Sequence, residues 1–200
     1  MCHRISPLLV SELQGALDEL RTTGRARIPQ RDAKTSVPDV YPGKQMPLFI
    51  ANQYGELEVA ELTWGFSTTF NASSKLVFNT RMDTALRQLA SGHGLWANPI
   101  AHNRCLVPVR SFYESWTKSA ERRHTDVRFS MPNRRVFLLA GLYEDDRFSV
   151  VTTTPNEDVR HYHTRMPLVL APGESRIWLG PDFGTLAQRP SPRLDAEPEL

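Results

Sequence analysis

The second residue of this chain, Cys2, has the most distinctive chemistry in the sequence. Initiator methionine is usually removed when the next residue is small, and removal of Met1 leaves an α-amine and a thiol on one residue. An α-amine has a pKa of about 7.7–8.0, so an appreciable fraction is unprotonated and nucleophilic at neutral pH. Such a 1,2-aminothiol condenses with an aldehyde to an imine, and the thiol then closes a thiazolidine ring. The alternative is that Cys2 is a small apolar residue on an edge strand.

Three further positions carry side chains suited to proton transfer or anion binding. Glu114 follows an apolar strand and is flanked by aromatic residues, which favours a raised pKa and general acid–base chemistry, although such a residue also caps turns or faces solvent. His163 titrates near neutrality, but a lone histidine beside a strand is often structural. Asn79 and Arg81 offer an amide and a phosphate-binding fork, or are turn and surface residues. None of these signals is specific alone.

The sequence does not favour a metal or a nucleotide cofactor. His102 with Cys105, and His161 with His163, have ligand-like spacings, but no Cys-x-x-Cys or His-Glu-x-x-His pattern supports zinc. The chain also lacks a P-loop, a dinucleotide-binding fingerprint and a Gly-x-Ser-x-Gly elbow. We therefore expect no metal and no cofactor.

Composition is that of one ordinary globular domain. The chain has 200 residues, 40% of them hydrophobic, and a net charge of +2, which neither indicates nor excludes a nucleic-acid partner. Two cysteines are too few for a disulfide framework, so a reducing cytoplasm is expected. The longest apolar run, Val136 to Tyr143, is too short to span a bilayer, and no targeting segment is visible. We expect a cytoplasmic monomer, associated with the nucleoid when bound to DNA.

The apolar periodicity predicts an α+β single domain with a mostly antiparallel, β-barrel-like sheet and peripheral helices. Strands are predicted at residues 2–5, 46–52, 57–63, 105–109, 127–131, 136–143, 148–154 and 168–170. Helices are predicted from an N-cap at Ser6-Pro7 to Gly24, over 83–90, near 95–100 and over 174–179. A loop is expected over 25–43. The domain is predicted to cover 1–185, and the Pro- and Glu-rich segment 186–200 to be a frayed tail.

Taken in order, short motifs along the chain resemble the SOS-response-associated peptidase (SRAP) family over roughly residues 1 to 180. The matching segments are 1–4 (MCHR), 40–43 (VYPG), 64–66 (WGF), 79–81 (NTR), 104–109 (RCLVPV), 112–114 (FYE), 139–144 (LAGLYE), 151–153 (VTT) and 163–167 (HTRMP). The sequence departs from the family pattern at His3, where glycine is usual, and at Trp116, which comes one residue late.

The resemblance implies a thiazolidine crosslink between the N-terminal cysteine and an abasic site in single-stranded DNA, together with autoproteolytic removal of Met1. Cys2 would be the nucleophile, and Asn79 would hold its amine or the opened sugar. Glu114 would move protons during ring opening and imine formation, and His163 would protonate or position the sugar oxygen. The residues expected to bind DNA are Arg4, Pro42, Trp64, Arg81 and Arg165, of which Arg4 and Arg81 would hold phosphates and Pro42 and Trp64 would shape a wall for a base or sugar.

Two alternatives remain open at this point. The protein could keep the fold but act only as a thiol autopeptidase without a crosslinking role. It could also be a single-stranded DNA-binding module that no longer reacts, as the departures at His3 and Trp116 suggest.

Overall fold

The computed structural model describes residues 2–23, 37–70, 73–117 and 124–199. Within them the strands are β1 (Arg4–Pro7), β2 (Gln45–Ala51), β3 (Leu57–Trp64), β4 (Phe66–Phe70), β5 (Ser73–Val77), β6 (Asn79–Arg81), β7 (Arg104–Thr117), β8 (His124–Ser130), β9 (Phe137–Glu144), β10 (Arg147–Thr153), β11 (Met166–Pro167), β12 (Val169–Leu170) and β13 (Asp195–Pro198). The helices are α1 (Val10–Thr23), α2 (Met82–Ser91), α3 (Ala97–His102), α4 (Glu157–Arg160) and α5 (Glu174–Leu179), followed by a 3-10 helix (Pro181–Ala187). No helix in these ranges is long and apolar enough to cross a membrane.

The predicted fold class is confirmed: one large, mostly antiparallel sheet carries the fold, with few helices. Its strands follow the order β12-β9-β10-β3-β2-β7-β8-β13, and β7 also pairs with β9, so the sheet curls into a barrel-like shape. It is not a closed barrel. The contact between β10 and β3 is parallel and limited to two residue pairs, whereas β2 and β3 pair antiparallel over seven.

Side-chain alternation along the strands divides the core into two clusters on opposite faces of the sheet. On β7, Cys105, Val107 and Val109 belong to the cluster that contains Cys2. Leu106 points the other way, into the cluster covered by the leucines of α1 and by Trp178 of α5. The face that holds Cys2 is therefore the inner face of the curled sheet.

Most predicted elements are confirmed, with boundaries shifted by one to three residues. The β2–β3 hairpin turns at Gly55, whose φ of +78° is readily adopted only by glycine. Helices α2, α3 and α5 lie where periodicity placed them. Most of the loop expected over 25–43, and Gly24 as the end of α1, lie outside the described residues.

The start of the first helix differs from the prediction. Ser6 and Pro7 do not cap a helix; they belong to β1, which pairs antiparallel with β7. The Ser6 hydroxyl donates to Asp39 at 2.5 Å. Helix α1 begins at Val10, and the Glu12 carboxylate accepts from the Leu9 backbone N–H instead. Pairing of the extended chain with β7 therefore outweighed the local capping signal.

The carboxyl-terminal segment also differs from the frayed tail that was expected. Strand β13 pairs antiparallel with β8, and Leu194 is buried in the same cluster as Cys2. The Asp158 carboxylate accepts from the Leu194 N–H at 2.9 Å. Backbone pairing at a sheet edge does not depend on an apolar composition, so the Pro- and Glu-rich sequence gave no sign of it.

Candidate active site

Cys2 lies on the inner face of the sheet, immediately before β1, and is completely buried. Its thiol is 3.8 Å from the Arg4 carbonyl oxygen, to which it donates. Burial, together with the negative charge of Glu114, raises the pKa of the Cys2 thiol well above its ordinary value. The thiol is therefore protonated at neutral pH, and once residue 1 is removed a reaction with an aldehyde starts more readily at the α-amine than at sulfur.

Asn79 holds Cys2 from the side of β6. Its Nδ2 donates to the Cys2 carbonyl oxygen at 2.8 Å, and strand β6 is fixed by parallel pairing with β10. The other amide atom, Asn79 Oδ1, is buried and accepts no hydrogen bond from the described residues. A buried acceptor of this kind is costly unless a ligand or water donates to it, so it suits a binding site.

Glu114 places a carboxyl group inside the apolar core. It lies on β7 two residues after Phe112, on the same face, and its side chain is completely buried. Burial raises the pKa of Glu114 to about 7, and the positive charge of the amino terminus opposes that rise. The backbone of Cys2 lies close enough to this carboxyl group to lower its pKa in turn. The backbone nitrogen of Cys2 becomes the α-amine once residue 1 is removed.

His163 completes the group from the segment that follows α4. Its Nδ1 lies 4.0 Å from Glu114 Oε2 and 3.0 Å from the Arg165 backbone nitrogen. Burial, followed by the charge of the amino terminus, lowers the pKa of His163. The ring is therefore neutral at pH 7 and can accept a proton. The structure thus brings together all four side chains that were predicted to be catalytic.

Two of the predicted DNA-binding arginines, Arg81 and Arg165, meet at the carboxylate of Asp83. Arg81 Nη2 is 2.8 Å from Asp83 Oδ2, and Arg165 Nη2 is 3.5 Å from Asp83 Oδ1. Arg165 also donates to the Thr152 carbonyl oxygen at 2.7 Å. Two guanidinium groups share one carboxylate, so the cluster keeps a positive charge toward solvent.

Arg4 is placed differently from the predicted phosphate contact. Its guanidinium contacts three carboxylates, those of Asp39, Asp126 and Glu199, and lies 3.5 Å from the centroid of the Tyr113 ring. Its side chain is only 13% exposed. In this structure Arg4 anchors the amino-terminal strand.

The role predicted for Trp64, as part of a wall for a base or sugar, is also wrong. It is completely buried, its ring is stacked on Phe148, and its Nε1 donates to the Phe78 carbonyl oxygen at 2.8 Å. A residue with no exposed surface offers no wall to a base or sugar. Pro42, predicted for the same wall, is half-buried in an exposed turn, and its contact with DNA stays a prediction.

Sequence reasoning missed the carboxylates that surround the amino-terminal strand. Asp39, Asp126 and Glu199 come from distant parts of the chain, and each is an ordinary acidic residue by local pattern. Pairing of β1 and β8 with β7, and of β13 with β8, brings in Asp126 and Glu199, and the bridge between Ile5 and Val40 brings in Asp39. The described residues contain no group of three or more His, Cys, Asp or Glu arranged to hold a metal ion.

The comparisons with known proteins agree with this fold. The family model for SOS response associated peptidases (SRAP) matches residues 1–195, and the chain belongs to that family. It is 28% identical over 146 residues to the abasic site processing protein YoaM of Bacillus subtilis. It is 27% identical over 143 residues to YoqW of the same organism, which carries the same description. Each alignment takes in 67% of this chain and 62% of the relative, so the match spans less than two thirds of these relatives.

Solved structures share the fold. A crystal structure of a protein from Bordetella bronchiseptica superposes with a TM-score of 0.69 at 24% identity, over 100% of both chains. A phage-related protein of the same organism gives 0.71 at 21% identity, over 99% of this chain and 94% of the other.

Proposed function

We propose that this protein processes abasic sites by forming a covalent thiazolidine crosslink between Cys2 and the opened sugar in single-stranded DNA, after Met1 has been removed. The observation that carries the proposal is that Asn79 Nδ2 holds the Cys2 carbonyl oxygen at 2.8 Å, while the completely buried carboxyl group of Glu114 lies close enough to Cys2 to raise the pKa of its thiol. The future nucleophile therefore lies against a group that titrates near neutral pH. The names of the Bacillus relatives support the choice of an abasic site as substrate.

The crosslink needs two bond-forming steps and the loss of one water. The α-amine of Cys2 adds to C1′ of the open-chain aldehyde, and the carbinolamine loses water to give an imine. The thiol then adds to the imine carbon, and the nitrogen takes the proton to give the thiazolidine. Glu114 accepts the proton from the attacking amine and returns one to the departing hydroxyl group. The neutral His163 ring positions the sugar ring oxygen with a hydrogen bond from its N–H, and the protonated form of Glu114 supplies the proton as the sugar ring opens.

Asn79 and the buried thiol set the order of these steps. Asn79 Nδ2 fixes the Cys2 carbonyl, and its Oδ1 is an acceptor for a sugar hydroxyl or for the amine. The thiol, with its raised pKa, stays protonated until the imine has formed. It then adds at short range within one residue, where proximity makes a weak nucleophile sufficient.

Removal of Met1 uses the same groups. The Cys2 thiol gives its proton to the ionised form of Glu114 and attacks the Met1 carbonyl carbon; the Met1–Cys2 peptide bond then breaks, and the nitrogen leaves as the free α-amine. Glu114 supplies the proton to that nitrogen. Water then hydrolyses the thioester and releases methionine. This autopeptidase activity prepares the crosslinking site.

The test mixes purified protein with single-stranded DNA that carries one abasic site, and separates the products under denaturing conditions. Wild type should give a protein–DNA adduct, and Cys2→Ala should give no stable one. Matched DNA without the lesion serves as the control.

The same experiment separates the alternatives. Loss of Met1 by intact mass without any adduct would leave only the autopeptidase. Salt-dependent binding without an adduct, insensitive to Cys2→Ala, would indicate a non-reactive DNA-binding module.

A further inference from the structure

Asp126, on β8, binds the two residues that follow the nucleophile. Its carboxylate oxygens lie 3.3 Å from His3 Nε2, and Oδ2 lies 3.2 Å from Arg4 Nη1. In the β7–β8 register Asp126 is opposite Ser115, the neighbour of Glu114. Asp126 therefore reaches the amino-terminal segment from the strand next to the one that carries Glu114.

Arg4 is the fixed end of this segment. Asp39 contacts its Nε at 3.0 Å, Glu199 contacts Nη2, and the Tyr113 ring covers one face of the guanidinium. Strand β1 begins at Arg4, which is opposite Tyr113 in β7. Water does not easily displace three carboxylates that bind one planar guanidinium group together.

Residues 2 and 3 lie beyond the paired strand and depend on side-chain contacts for their position. Asn79 holds the carbonyl group of Cys2, and Asp126 holds the ring of His3. Terminal residues without such contacts fray, and a frayed residue spends little time in a reactive geometry.

We propose that Asp126 is a positioning residue: by fixing His3 and Arg4, it holds the amino-terminal aminothiol of Cys2 in reach of Glu114. Asp126 does not touch Cys2 itself, and it acts through the two residues that follow. This inference rests on the proposed function for the identity of the DNA substrate. The contacts of Asp126 with His3 and Arg4 do not depend on that proposal.

The charge of Asp126 has a second effect at the site. Burial is the main cause of the raised pKa of Glu114, and the negative charge of Asp126 adds to it. The other charged or titratable groups that act on Glu114 are Cys2, His163 and the amino terminus. Removing the charge at position 126 therefore lowers the pKa of Glu114.

The test compares Asp126→Asn with Glu197→Gln. Glu197 lies on β13 and forms an ion pair with Arg128, two residues from Asp126, at 3.0 Å, so this control removes one carboxylate charge nearby without touching residues 2–4. Single-turnover formation of the abasic-site adduct is followed against DNA concentration and pH, using protein whose mass shows residue 2 at the amino terminus. Reaction with acetaldehyde, followed by intact mass, is measured in parallel.

We expect Asp126→Asn to lower the maximal adduct rate about tenfold, with the half-saturating DNA concentration within about twofold of wild type. The acidic limb of its pH profile should move to lower pH, which loss of general stability would not cause. Glu197→Gln should match wild type. His3→Gln should slow the reaction in the same way, and the double variant should be no slower than Asp126→Asn alone, because both changes break one contact.

An unchanged maximal rate in both Asp126→Asn and His3→Gln would overturn the positioning role, as would a change confined to the half-saturating DNA concentration. If Asp126→Asn does not fold, the rate for His3→Gln decides. If wild type forms no adduct with DNA, the proposed function fails. The acetaldehyde rates then decide the positioning role: slower reaction in Asp126→Asn supports it, and equal rates refute it.

Discussion

Glu114 Oε2 and His163 Nδ1 lie 4.0 Å apart in the inner face of the sheet, and burial shifts both toward their neutral forms. The pKa of the carboxyl group rises to about 7, and that of the imidazole falls. At neutral pH the pair therefore offers a proton donor and a proton acceptor side by side. That combination is what ring opening and imine formation require.

The raised pKa of Glu114 predicts a pH-dependent cost to folding. The folded carboxyl binds its proton more tightly than the unfolded one, whose pKa is near the ordinary 4.5. Its contribution to stability is complete below pH 4.5 and is lost as pH rises through about 7. Glutamine at position 114 cannot ionise, so the stability of Glu114→Gln lacks this pH dependence. The difference in unfolding free energy between Glu114→Gln and wild type should therefore shift by about 3 kcal/mol in favour of the variant between pH 4 and pH 8. Denaturant unfolding at both pH values measures this, and a difference independent of pH would contradict it.

The Arg81–Arg165 pair predicts a specific salt dependence. If each guanidinium binds one phosphate of single-stranded DNA, Arg81→Gln and Arg165→Gln should each reduce the slope of log affinity against log salt by about 0.7. Arg176→Gln, on α5, serves as a matched charge control and should leave the slope unchanged. Slopes from fluorescence anisotropy titrations provide the measurement. Equal slopes in all four proteins would place the DNA backbone elsewhere.

The burial of Trp64 predicts that it matters for folding and not for DNA. Trp64→Phe keeps the ring stacked near Phe148 but removes one of the two hydrogen bonds that the Phe78 carbonyl oxygen accepts, the other coming from the Val150 N–H. We expect a loss of about 1–3 kcal/mol in the free energy of unfolding, because a buried hydrogen bond is lost and the smaller ring leaves a cavity. The affinity of the folded variant for single-stranded DNA should equal that of wild type. A marked loss of affinity at a temperature where the variant is folded would contradict the assignment.

Local signals predicted the parts of the fold that depend on near neighbours in sequence. The β2–β3 hairpin follows from alternation on either side of Gly55, and α2 follows from helical periodicity. Strand β7 was predicted to end at Val109, but it continues to Thr117. Ser111 and Glu114 interrupt the apolar pattern there, and both are nonetheless buried. A prediction from apolar pattern ends a strand at its first polar residues, so it misses a strand that buries polar side chains at a candidate active site.

The four side chains expected to be catalytic were predicted together only through the family resemblance, because no local pattern relates Cys2 to Asn79 or His163. The surroundings of Arg4 lay beyond sequence reasoning. Its partners Asp39, Asp126 and Glu199 meet it through pairings between strands far apart in the chain. A phosphate-binding arginine and an anchoring arginine look alike until those neighbours are known.

In the proposed mechanism the amino-terminal nitrogen and the sulfur of Cys2 each form a bond to the same sugar carbon of the DNA. The direct measurement is mass spectrometry of the proteolysed adduct from wild-type protein and abasic single-stranded DNA. We predict a modified peptide that begins at Cys2, lacks Met1, and carries the sugar with the loss of one water. An adduct on a lysine or on Cys105, or one on a peptide that retains Met1, would contradict the account.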